Sequence, residues 1–213
     1  MVPVVFRWIK KYYICPIVIT TSVMALLYIQ DKKIDRTDLV DHALEKAEYE
    51  NCTFINLELS SSDLSGCIFT DCVFEGCNLS LCKLKNTSFK TVQFNHCKLL
   101  GLRWDDGNAF LFSVGFDHCI LDMGTFYGMK LKKTKFISCN MMEVDFTEAD
   151  MGQTLMDDCD LSKAVFDQTN LQGADLKTSR QYMIDPENNN IKKASFSWPA
   201  VTGLLVKYDI DVQ

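Results

Sequence analysis

The chain has 213 residues, with 22 basic and 28 acidic side chains and a formal net charge of −6. That length suits one domain, and an acidic chain lacks the positive footprint of a conventional DNA-binding protein. Ten cysteines would suggest a disulfide scaffold in a short secreted chain, but their spacing, taken up below, fits small thiols packed in a core.

Residues 1–30 form an apolar N-terminal extension. Arg7, Lys10 and Lys11 precede the uncharged run from Tyr12 to Ile29. A run of that length is near the lower limit for a bilayer span, about 17 to 25 residues, and the basic residues would keep the amino end inside. No small-residue cleavage site follows it. One reading is therefore a transmembrane helix over residues 12–29, giving membrane contact and a membrane-anchored protein. The other places the true start at Met24, leaves residues 1–23 without a role, and makes the protein cytoplasmic, with Tyr28 and Ile29 covering a first coil.

From Leu39 onward every fifth residue is bulky and apolar: Leu44, Tyr49, Phe54, Leu59, Leu64, Phe69, Phe74, Leu79, Leu84, Phe89, Phe94, Leu99 and Trp104. The beat resumes in a shifted phase at Leu111 and runs through Phe116, Leu121, Phe126, Leu131, Phe136, Met141, Phe146, Met151, Met156, Leu161, Phe166, Leu171 and Leu176. A helix surface repeats at about 3.6 residues and a strand at 2, so neither explains this period. A chain that turns a corner in every repeat does. Four such sides close a square coil of about 20 residues, and stacked coils share one core. The position two before the bulky residue is small, as at Cys52, Cys72, Cys97, Cys119, Thr134, Cys159, Thr169 and Ala174. In this register Cys52 stacks on Cys72, Cys77 on Cys97, and Cys119, Cys139 and Cys159 lie on one another.

The repeat is expected to occupy residues 31–197. Residues 105–110 interrupt it, where Asp105-Asp106-Gly107-Asn108 forms a turn. Two extra residues bulge there, either as a register repair covered by Phe110, Phe112 and Val114 or as a recognition loop. Residues 180–190, around Pro186 and the Asn run, are predicted to form a second loop or an irregular side of an eighth coil. Ile191 and Phe196 then recover the beat. In residues 198–213, Val201, Leu204, Leu205 and Tyr208 share a helical face, followed by Ile210 and Val212 alternating as a strand. This tail either caps the last coil or caps it while pairing with a second subunit.

Cys159-Asp160-Leu161-Ser162-Lys163 and Ala174-Asp175-Leu176-Lys177-Thr178 follow the order small, Asp or Asn, Leu or Phe, then two polar residues. In this the chain resembles the pentapeptide-repeat proteins. The resemblance implies an all-β fold, a right-handed quadrilateral β-helix, here with a short C-terminal helix and strand. The whole chain is similar to the Qnr and MfpA branch. That likeness implies a homodimer held through the C-terminal ends, at Val201, Leu204, Leu205 and Tyr208. It also implies a DNA-like acidic surface that binds DNA gyrase or topoisomerase IV and protects against fluoroquinolones, without direct nucleic acid binding.

Catalysis finds little support. His42, His96 and His118 are the only histidines. His96 and His118 adjoin Cys97 and Cys119 but should point outward while the thiols point in, so no nucleophilic pair forms. Coils about 4.8 Å apart cannot share one zinc ion at about 2.3 Å per sulfur. No catalytic, metal or cofactor residue is assigned. The candidate partner-binding residues are Asp145, Asp150, Asp157, Asp158, Asp160, Asp167 and Asp175, an acidic field that attracts basic surfaces. Lys130, Lys132, Lys133 and Lys135 break that field, and Lys130 should stack on Asp150 as a surface pair. The alternative is a structural, scaffold or membrane-tethered interaction protein with an unrelated partner.

Overall fold

A bulky residue at every fifth position can face one core only if successive coils stay in register, and parallel backbone pairing holds them there. The computed structural model describes residues 26–39 and 43–211. Phe54 pairs with Phe74, Phe74 with Phe94, and Asp175 with Ser195. Each coil thus lies directly on the one before it.

Four faces result. The first begins as a four-stranded parallel sheet of Leu27–Gln30, Ala47–Glu50, Ile68–Thr70 and Ser88–Lys90. It resumes higher up as single bridges through Lys130, Asp150, Asn170 and Asn190. The second is a nine-stranded parallel sheet from Lys33–Ile34 to Ser195–Phe196. The third and fourth are ladders of single bridges, Glu58 to Arg180 on the third, and Asp63 to Lys83 then Arg103 to Val165 on the fourth. Many corners need the left-handed region, which favours Asn, Asp and His among the non-glycines. Asn51, Asn56, Asp71, His96, His118 and Asp158 sit there, with φ between 50° and 52°.

The core is a set of ring columns. Phe54, Phe74, Phe94, Phe116 and Phe136 stack with centroid spacings of 4.4, 5.0, 5.5 and 5.1 Å. Tyr49, Phe69 and Phe89 form a second column, and Trp104, Phe126, Phe146 and Phe166 a third. Leu79, Leu161, Leu171 and Leu176 are equally buried.

The small positions do more than make room. Cys77, Cys97, Cys119 and Cys159 donate their thiols to the carbonyls of Phe54, Phe74, Phe94 and Phe136, at 3.3–3.4 Å. Thr169 Oγ1 reaches Phe146 O and Ser179 Oγ reaches Met156 O, both at 2.8 Å. The slot therefore selects a small side chain, and where that side chain carries a donor it finds a carbonyl of the coil beneath; Ala149, Ala164 and Ala174 fill it by size alone. Because Lys98 pairs with Ile120 across the insertion, Cys77, Cys97, Cys119, Cys139 and Cys159 form one continuous column rather than two stacks. All are free and buried. Burial pushes the Cys72 thiol up to about 11 and that of Cys82 up to about 12.

Several expectations need correction. Among the described residues the coil stack starts with Leu27–Gln30, paired to Ala47–Glu50. Residues 12–25 of the proposed membrane span lie outside the described residues, and Leu27–Ile29 are strand. Among the described residues no helix is long and apolar enough to cross a membrane, so the transmembrane helix is not supported. At the insertion, Leu111 is 62% exposed and Phe110 68% exposed, so the bulge is not covered by its own side chains. Phe112, half-buried against Phe89 and Trp104, fills the core place assigned to Leu111. In the 180–190 segment Tyr182 and Ile184 are buried. Asn189 there bonds to the Phe166 carbonyl and to the Thr169 amide. Of the two readings of this segment, the irregular side of a further coil is therefore the one observed, its wall built from different side chains.

Two measurements test this packing. Phe116→Ala should cost about 3–5 kcal/mol in urea unfolding, whereas Leu111→Ala should stay within about 0.5 kcal/mol; equal losses would put Leu111 back in the core. Thiol labelling in native, mildly alkaline buffer should spare Cys52 to Cys159 and proceed only as urea unfolds the chain. Prompt native labelling of several of these thiols would mean that the column opens.

Candidate partner-binding surface

The outward positions of each coil are what a partner meets, and backbone register decides which of them share a face. The histidines come first because they border cysteines. His96 and His118 stack at the corner after the second face, ring centroids 5.0 Å apart, with His118 Nδ1 2.5 Å from Asp117 Oδ1. Both are exposed while Cys97 and Cys119 are buried, so imidazole and thiol point apart. His42 lies outside the described residues. Among the described residues no group of three or more His, Cys, Asp or Glu is placed to hold a metal ion.

The seven predicted aspartates do not form one surface. Asp150 lies on the first face, Asp175 and Asp157 on the second, Asp160 on the third, and Asp145 on the fourth. Asp158 takes the corner after the second face, and Asp167 the outward position next to Val165 on the fourth. Several are already engaged. Arg180 contacts Asp158 at 3.1 Å and Asp160 at 3.5 Å, and Lys177 contacts Asp175 at 2.9 Å. Against the upward push of partial burial, hydrogen bonds from Ser162 and Arg180 hold Asp160 below the usual carboxylate range. Asp157 accepts from Thr178 Oγ1 at 2.7 Å. Asp150 turns upward to Asn170 Nδ2 at 2.7 Å. Lys130 is its backbone bridge partner, but the expected ion pair between them is not formed.

The fourth face is different. Asp145 accepts only from the Thr147 amide at 2.9 Å, and Asp167 from Asn188. Glu148, which the sequence reading missed, stands beside them and accepts from Tyr127 Oη at 2.9 Å. Its amide donates to the Asp167 carbonyl at 2.8 Å, which locks the two coils together. Its signal was its place two residues after Phe146, a corner that must face solvent. No cation pairs with Asp145, Glu148 or Asp167 among the described residues. Farther along the same face, Asp185 and Glu187 share Lys207, at 2.8 and 2.6 Å. The Lys207 hydrogen bond holds the Asp185 carboxyl below its ordinary range.

The tail closes the last coil. Its helix comes as two 3-10 turns, Pro199–Leu204 and Val206–Tyr208. Gly203 is required, since a Cβ there would lie 2.1 Å from the Tyr182 carbonyl oxygen. Leu204 packs on the core, and Val201 and Leu205 are half-buried. Tyr208 bonds Glu187 Oε1 at 2.8 Å. The predicted interface residues thus belong largely to the cap. Exposed side chains with a large apolar surface at this end include Trp198 (87%), Val206 (55%) and Ile210 (56%), with Met183 and the predicted interface residue Tyr208 also exposed. Ile210 stands outside any strand, and Val212 lies outside the described residues.

Comparison with known proteins agrees with this architecture. The profile of a family described as the pentapeptide repeat region matches residues 44–110 and 109–196. Two structures of trypsin-treated variants of QnrB1, a plasmid-mediated fluoroquinolone resistance protein, superpose with TM-scores of 0.57 and 0.59. They are 19% and 21% identical, and each match covers 89% of this chain and 99% of the other. At these identities the likeness is one of fold. No curated protein sequence matches the chain. Its five-residue beat, its four-faced parallel stack and the profile match over most of its length place the chain in the pentapeptide-repeat family, as a right-handed quadrilateral β-solenoid.

Proposed function

We propose that the chain is a non-enzymatic rod whose fourth face docks on a basic surface of DNA gyrase or topoisomerase IV, occupying a site shaped for DNA. The observation that carries this reading is the group Asp145, Glu148 and Asp167. These carboxylates lie on adjacent coils of one face, without a cationic partner among the described residues. Coils about 4.8 Å apart on a rigid scaffold hold the charges at fixed intervals, so a basic groove meets a field that needs no reordering. The fold likeness to a plasmid-mediated fluoroquinolone resistance protein supports the choice of partner.

A homodimer through the C-terminal ends belongs to the same reading. Its contact is rebuilt here on Trp198, Val206 and Ile210, which remain exposed once Leu204 is committed to the cap. Burying such side chains contributes about 25 cal/mol per Å² of apolar surface toward the cost of pairing two ends.

Gyrase supercoiling with micromolar purified protein, with and without a fluoroquinolone, tests the partner. The wild type should inhibit supercoiling, restore it in the presence of drug, or do both, and Asp145→Lys/Glu148→Lys/Asp167→Lys should do neither. A wild type that changes neither arm removes the topoisomerase reading. The dimer is tested separately by sedimentation. Wild type should run as a dimer and Trp198→Asp/Val206→Asp as a folded monomer, whereas a monomeric wild type excludes the pairing.

A further inference from the structure

The basic side chains are as unevenly placed as the acidic ones. From Gly76 to Trp104 the chain has no Asp or Glu, and from Tyr127 to Met142 none again. These two segments bracket the insertion, and register brings them together. Val92 pairs with Val114, and Gly115 pairs with both Gln93 and Lys135. Thr91, Ser113 and Lys133 therefore climb one corner, while Gln93, Gly115 and Lys135 climb the second face beside it.

Gly115 leaves a gap in that face. A Cβ there would lie 2.3 Å from Gln93 Oε1, so the Gln93 carboxamide lies flat across the glycine. The result is a recess of about 250 Å³ walled by Thr91, Gln93, Ser113, Lys133 and Lys135. None of these five side chains takes part in a hydrogen bond or ion pair among the described residues. Three lysines elsewhere, Lys163, Lys177 and Lys207, each pair with a carboxylate at 3.0 Å or less, whereas the ammonium groups of Lys133 and Lys135 are left for a ligand. Lys90, Lys130 and Lys132 flank the recess and add positive potential, which Asp71, one coil below Thr91 on the same corner, and Asp150, the bridge partner of Lys130, offset only in part.

We propose that this recess is an anion site that takes the phosphate group of a small phosphorylated molecule. Two ammonium groups, two hydroxyls and one carboxamide bring N–H and O–H donors from several directions. That suits a tetrahedral oxyanion better than a planar carboxylate, which presents only two oxygens in one plane. The volume exceeds that of one phosphate and leaves space for the carbon skeleton of an ester. The recess opens on the second face, opposite the fourth, so it does not depend on the topoisomerase reading and would leave the acidic surface free.

Calorimetric titration with inorganic tripolyphosphate at about 0.15 M salt, where the Debye length is about 8 Å and charges farther off are largely screened, tests the site. Wild type should bind, and Lys133→Glu/Lys135→Glu should bind at least about tenfold more weakly, since each lost charged donor is worth roughly 1.5–3 kcal/mol. The control Lys192→Glu/Lys193→Glu changes net charge equally, three coils or about 14 Å up the same side. It should stay within about twofold of wild type. Gly115→Leu fills the recess without altering charge, and Leu155 already occupies the equivalent place two coils above. It should also lose binding; if it does not fold, the two charge variants decide alone. The site is overturned if wild type does not bind, if the control pair loses as much affinity as Lys133→Glu/Lys135→Glu, or if folded Gly115→Leu binds like wild type.

Discussion

Parallel backbone pairing between successive coils is the constraint on which everything else depends. Each side is too short to be a stable strand alone, and most sides contribute only one to three paired residues. Repetition through nine strands of the second face makes the ladder continuous. With the coils held in register, identical positions stack, and a side chain is chosen by what lies above and below it. Rings settle on rings at about 5 Å, and a donor in the small slot finds a carbonyl of the coil beneath. Corners repeat a left-handed residue so often that Asn, Asp and His become structural choices. Function must then be sought in the outward positions, the part of each repeat that stacking leaves free.

The period of five and its inward faces were legible in the sequence because burial of a bulky residue leaves a one-dimensional trace. Phe54 and Phe74 announce their stacking by spacing alone. What was not legible depended on where the phase slipped. Leu111 keeps the numerical beat but not the core place, because the two added residues are absorbed by a turn at Ala109 to Phe112 that throws Leu111 outward. The same slip hid the continuity of Cys97 with Cys119. Likewise Tyr182 and Ile184 enter the core off the beat, since a polar residue and a proline stand at the expected positions. A repeat read by counting fails wherever the backbone takes an extra step.

The acidic surface shows a second limit. Aspartates read in order look like a field, yet a square coil sends residues five apart to different faces. Asp150 and Asp160 look outward on opposite sides of the rod. Only a spacing of about one full coil keeps two charges together. Selecting on that spacing recovers Glu148 beside Asp167, and it discounts Asp158 and Asp160, whose charges Arg180 already offsets. Charge is therefore distributed locally, with the unpaired carboxylates of Asp145, Glu148 and Asp167 on one part of the fourth face and the ammonium groups of Lys133 and Lys135 on or beside the second.

The insertion unites these features. Below it the first face is a true sheet, and above it only single bridges remain. The second face runs through the insertion without a break, because Val92–Asn95 pairs fully with Val114–Asp117 despite the longer step. The extra residues are thus confined to one side of one coil, and the disturbance stays local. A solenoid tolerates this because each coil contacts only its neighbours. The same locality lets one coil specialise. Glycine at 115 would leave a weak point in an isolated strand, but in an unbroken ladder it opens a recess without loosening the stack, beside side chains that the rest of the rod leaves unpaired.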